Sequence, residues 1–105
     1  MEQRDYVRRL LEAYRATYGT CGAVRRPDRL LATQLYQRVP LDAVENALTL
    51  AAARRLTRPA DVPHLGTIRS LAYFSPVIEE VLRLQAGPEY FHHLRNRIAR
   101  FTPAP

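Results

Sequence analysis

An all-α single compact bundle of about five helices is the architecture to expect from this chain, on three grounds. Large apolar residues recur at intervals of three and four along most of its length, the spacing of one helical face. Prolines and glycines fall where such stretches begin and end. No run alternates apolar with polar residues between hairpin turns, as half-buried strands would. The 105 residues allow one domain, assigned to 1–101, with 102–105 (TPAP) as a C-terminal tail. Hydrophobic residues at 47% and charged ones at 25% match an ordinary globule and exclude an apolar-poor, disordered chain.

The first helix is expected over 2–18, where Tyr6, Val7, Leu10, Leu11, Tyr14 and Tyr18 share a face and Gly19 stops it. On its outer side Asp5 is spaced to meet Arg8 or Arg9, and Glu12 to meet Arg15. Residues 19–26 (GTCGAVRR) carry two glycines and no period, so they form a loop that delivers Arg25 and Arg26. Pro27 suits a first helical position. A second helix follows over 28–38, burying Leu30 or Leu31, Leu35 and Tyr36.

Pro40 drives Val39 out of helical geometry, so a tight turn separates helices two and three. The third helix spans 41–55 with Leu41, Val44, Leu48 and Ala51 or Ala52 inward. Asp42 and Glu45 near its start and Arg54 and Arg55 at its end complement the helix dipole. Residues 57–66 (TRPADVPHLG) form a loop, after which Thr67 is placed to cap a fourth helix carrying Ile68, Leu71, Phe74, Ile78 and Leu82. Its strongly apolar stripe marks it as the centre of the core. Ser75-Pro76 either kinks it or restarts it with Ser75 as N-cap. Gly87-Pro88 opens a last helix over 89–101, with Tyr90, Phe91, Leu94 and Ile98 as its apolar residues.

Charge is the strongest functional signal. Sixteen basic residues against ten acidic ones give a net charge of +6, and the pI is about 10.2. Every basic residue is arginine. Its planar fork grips phosphate through paired hydrogen bonds, which suits a polyanionic partner. GC-rich codon usage accounts for the missing lysine but leaves the charge excess to be explained. A lone cysteine, Cys21, excludes an internal disulfide and a cysteine zinc cluster. An acidic start and no uncharged stretch longer than the nine residues of 70–78 argue against export and against a membrane span. The expected location is the cytoplasm.

Three arginine groups lack an acidic neighbour at helical spacing: Arg25, Arg26 and Arg29; Arg54, Arg55 and Arg58; and Arg95, Arg97 and Arg100. The first sits at a helix N-terminus, whose free N–H groups already favour an anion, although Asp28 competes for that place. The second leaves the third helix. These six are the candidate nucleic-acid-binding residues, whereas the last group reads as a solvated basic face. Helices two and three do not suit a helix-turn-helix reader, because Asp42 and Glu45 would face phosphate. His92 and His93 are adjacent on a helix and point about 100° apart, so they do not chelate one metal. Glu79 and Glu80 are spaced to pair with Arg83, and the tyrosines serve the core or its rim. No catalytic motif, metal set or cofactor site is expected.

Residues 25–84 contain Asp28, Leu31-Ala32, Leu35-Tyr36, Pro40-Leu41, Val44, Ala47-Leu48, Ala51, Ile68, Ser70-Leu71, Tyr73-Phe74 and Ile78. This pattern resembles the small helical domain of DnaD-like primosomal proteins and related phage or plasmid replication initiators. The resemblance implies a domain that binds DNA and assists replication initiation without being an enzyme. The chain lacks the tryptophan of that family's C-terminal motif. Its lysine-free style is similar to small proteins encoded near mobile elements in GC-rich bacteria. The expected function is therefore a non-enzymatic domain that contacts the phosphate backbone of nucleic acid, DNA before RNA. The alternative is an assembly module that meets an acidic protein partner or self-associates.

Overall fold

A computed structural model describes residues 1–101, and the tail expected at 102–105 lies outside them. Five α-helices form, α1 (Gln3–Ala16), α2 (Arg26–Tyr36), α3 (Leu41–Leu56), α4 (Ser75–Arg83) and α5 (Pro88–Phe101), with a 3₁₀ turn at Leu71–Phe74. No strand occurs among the described residues; one isolated parallel bridge joins Thr20 to Ile68. The expected all-α bundle is what the chain forms.

Tyr6, Leu10, Leu11 and Tyr14 make the buried face of α1. The helix ends before Tyr18, which lies 45% exposed beyond it and not on the inner stripe. Gly19 then takes a φ of +97°, which an L side chain rarely adopts. A Cβ there would also stand 2.6 Å from Arg55 Nε. α2 starts two residues sooner than expected because Arg25 is already extended and its N–H is accepted by Asp28 Oδ2 at 2.9 Å. Asp28, Ala32 and Leu35 are its buried residues, while Leu30 faces solvent.

Val39 N–H donates to Leu35 O at 2.8 Å, closing the tight turn, and Pro40 is the extended N-cap of α3. α3 buries Val44, Ala47, Leu48, Leu50, Ala52 and Ala53, residues spread around more than one side. It packs against α1, α4, α5 and the 3₁₀ turn. The core centre is therefore α3 and not the fourth helix. Its alanines let neighbours approach on several sides, so it needs no single greasy stripe.

The expected fourth helix over Ile68 to Leu82 is corrected in three ways. Ile68 is not helical: its N–H donates to Gly19 O at 2.8 Å and its carbonyl accepts from Cys21 N–H at 2.9 Å. The next turn is 3₁₀, and Ser75 continues directly from it as the first residue of α4, with φ −54° and ψ −45°, so it is not the N-cap. Pro76 then sits in the first turn, where its missing N–H costs nothing. The buried stripe continues through Val81, leaving Leu82 exposed. α5 buries Phe91 and Leu94 against α3.

Tyrosines close the core. Tyr14 meets Phe74 edge to face at 6.0 Å between ring centres, and Tyr6 meets Tyr36 at 5.2 Å. Tyr6 OH donates to Val39 O at 2.7 Å, and burial pushes its pKa up to about 12. Tyr14 is fully buried, and its hydroxyl has no partner among the described residues. Burial first, and then the nearby Asp28 charge, raise its pKa. No described helix is long and apolar enough to cross a membrane.

Candidate nucleic-acid interface

Helix direction decides which arginines meet. Tyr6 bonds to Val39, and Tyr36 OH donates to Met1 O at 3.1 Å, so α1 begins beside the end of α2 and the two run antiparallel. The end of α1 and the start of α2 thus share one pole of the bundle. α3 sets out from the opposite pole and brings its C-terminus back to this one. Arg55, in its last turn, packs on Gly19 and donates from Nη2 to Leu65 O at 3.1 Å and to Gly66 O. The Thr20–Ile68 bridge fastens the 57–70 segment to the same place.

This pole gathers Arg15, Arg25, Arg26, Arg29, Arg55, Arg58 and Arg69. The acids contributed by the same segments are Asp28 and Asp61, and Glu12 stands one turn before Arg15, paired with Arg8. Asp28 is 2% exposed and spends both oxygens inside: Oδ2 accepts from Arg25 N–H and Oδ1 from Leu71 N–H, each at 2.9 Å. That carboxylate fills the anion position at the start of α2, so an external anion meets side chains there and not the helix N-terminus. Its charge is withdrawn from the surface while the arginines around it stay outside.

The six expected arginines have different surroundings. Arg25, Arg26 and Arg29 are exposed, and no described carboxylate stands within ion-pair distance of any of them. Arg58 Nη2 donates to Pro63 O at 3.0 Å, and Arg55 holds the two loop carbonyls, so both are oriented by neutral acceptors and keep their full charge. Arg54 differs. It pairs with Glu80 through both Nη atoms, one at 2.8 Å, and this contact holds the Glu80 carboxyl below its ordinary range. Arg54 has no acidic neighbour at helical spacing, as expected, but Glu80 reaches it from α4, so it is not free to meet phosphate as the candidate set required. Glu79 likewise reaches Arg38 at 3.0 Å, so neither glutamate makes the expected pair with Arg83.

Two further arginines belong to this surface. Arg15 is not paired with Glu12; its Nε donates to Gly22 O at 3.0 Å, and Glu12 pairs with Arg8 at 3.3 Å. Arg69 follows the bridged Ile68 and is exposed. Nothing in local spacing announces either, since both depend on the closing of two loops. A groove of about 490 Å³ runs from the pole along α1 and α2, lined by Arg4, Arg8, Arg15 and Arg29 with Glu12 and Thr33 between them. Of the last group, Arg95 Nη2 donates to Asn46 Oδ1 at 2.8 Å on the α3 side.

Among the described residues, no group of three or more His, Cys, Asp or Glu side chains is placed to hold a metal ion. Comparison with known proteins finds no matching family model, no matching curated protein and no matching solved structure.

Proposed function

We propose that this chain is a non-enzymatic nucleic-acid-binding domain that holds the phosphate backbone through Arg25, Arg26, Arg29, Arg55 and Arg58. Arg54 serves an ion pair in this reading. One observation carries it: a single pole collects arginines from four segments of the chain, while the acid at its centre is buried and spent on backbone N–H groups. Guanidinium groups placed by neutral carbonyls are held ready for phosphate without being neutralised. The DnaD-like sequence pattern supports the same reading and suggests DNA, in an accessory role to replication or to a mobile element.

Backbone contact of this kind is electrostatic and blind to sequence. With about five phosphates neutralised, the logarithm of the affinity should fall against the logarithm of salt with a slope near −4 to −5 on a duplex, at about −0.9 per contact, and near −3.5 on a single strand, at about −0.7 per contact. Fluorescence anisotropy of a labelled DNA at several salt concentrations measures it. A charge-reversed R25E/R26E variant should weaken binding to unrelated sequences alike. A flat salt dependence, or full binding by that variant, would refute the reading.

A further inference from the structure

Tyr18 is out of place for a residue on the inner stripe of α1. It stands beyond the helix end, nearly half exposed, and lines a cleft of about 230 Å³ between that end and the 57–65 loop, as well as a second cleft toward α3 and α5. Arg55 and Arg58 enter the first cleft, with His64, Val62 and Pro63 on the loop side. The loop is held in shape: Arg58 donates to Pro63 O, Arg55 donates to Leu65 O, and Val62 N–H donates to Pro59 O at 3.3 Å. An exposed tyrosine, two arginines and the loop's proline and valine therefore line one small, mostly polar space.

We infer that this cleft seats one unpaired nucleobase, stacked on Tyr18 with its phosphates against Arg55 and Arg58, so that the ligand of the basic pole is a single strand. The inference rests on the phosphate-binding reading and narrows it. A duplex keeps its bases stacked within the helix and presents none to a cleft of this size, whereas a single strand offers every base face. Arg25, Arg26 and Arg29 continue the positive surface over which the rest of the strand would run. Tyr73 and Tyr90 are as exposed as Tyr18, and what marks Tyr18 is its place in one cleft with Arg55 and Arg58, the pairing of ring and cation that base stacking beside a phosphate uses. The two prolines and the loop hydrogen bonds keep the cleft open in advance, so little ordering is required on binding.

The test compares three labelled 15-mers by anisotropy at fixed low salt: oligo(dT), a blunt duplex, and an abasic strand that keeps the phosphates and lacks the bases. Oligo(dT) should bind at least about tenfold more tightly than the abasic strand or the duplex. Tyr18→Ala should weaken oligo(dT) by about 5- to 150-fold and leave the abasic strand unchanged, and Tyr18→Phe should retain binding. The exposed position of Tyr18 lets these variants fold, which thermal melts verify. Equal affinity for oligo(dT) and the abasic strand, preference for the duplex, or equal loss on both strands in Tyr18→Ala would overturn the base-seating inference while leaving phosphate binding intact. Failure of all three oligonucleotides to bind would overturn both.

Discussion

Replacing Asp28 is the most informative single perturbation of this molecule. Its carboxylate, 2% exposed, accepts from the N–H of Arg25 at the head of α2 and from the N–H of Leu71 at the head of the 3₁₀ turn. Hydrogen bonds to a charged group contribute about 1.5–3 kcal/mol each, and an abandoned buried donor costs about 1–3 kcal/mol. Desolvating the carboxylate offsets part of that gain. Asp28→Ala, which strands both donors, should therefore cost about 3–5 kcal/mol. Asp28→Asn keeps one side-chain oxygen as acceptor and loses the other, and should cost about half as much. With about 4–8 °C per kcal/mol for a domain near this size, the alanine variant should melt at least about 12 °C below the native protein. Circular dichroism melts at pH 7 read both variants. A loss below about 1 kcal/mol in Asp28→Ala would show that the carboxylate does not tie α2 to the 3₁₀ turn, and the account of the basic pole would lose its central strut.

Gly19→Ala combines a left-handed backbone with a Cβ 2.6 Å from Arg55 Nε, so it should cost at least about 1–2 kcal/mol and weaken nucleic-acid binding by displacing Arg55; an unchanged melt would refute the close approach. Tyr6 has a folded pKa raised from 10.0 to about 12, so its stabilisation is complete below pH 10 and is lost as pH rises through 12; Tyr6→Phe should show a shallower alkaline decline in melts across the range, the remainder coming from Tyr14, whose pKa is also raised. The Glu80 carboxyl is depressed by Arg54, so the pair's contribution is present above pH 4.5 and is lost as pH falls through the lower folded value; Glu80→Gln should show a flatter acid limb. The same variant releases Arg54, and DNA affinity at low salt should rise; a fall would show that the ion pair itself shapes the binding surface.

Much of the fold is legible in the chain because its cues are local. The stripe of Tyr6, Leu10 and Tyr14, the Val39-Pro40 turn and the burial of Phe91 and Leu94 in α5 follow from spacing and proline chemistry alone, whereas Tyr90, expected beside them, is exposed. The central place of α3 is hidden, since alanines carry little periodic signal while allowing contact on several sides. Ile68 misleads for the opposite reason: it continues the period of Leu71 and Phe74, yet its backbone is claimed by Gly19 and Cys21 across the bundle. Among the arginines, Arg25, Arg26 and Arg29 stand free of carboxylates as the sequence suggests. The Arg54–Glu80 pair depends on how α4 lies on α3, which no spacing within one helix encodes. Arg15 and Arg69 reach the pole through loop closure and are invisible for the same reason.

The Thr20–Ile68 bridge bears on how the basic pole is held together. Its partners lie far apart along the polypeptide, so drawing them together costs loop entropy that the packing of the intervening helices reduces. Those two hydrogen bonds fasten Arg69 and the preceding loop beside the end of α1, where the packing of α3 on α1 already brings Arg55. A chain without that latch would keep the arginines of α1, α2 and α3 in place while leaving Arg58 and Arg69 on a less constrained loop. Grip on a polyanion would then report completion of folding, which helical content alone does not.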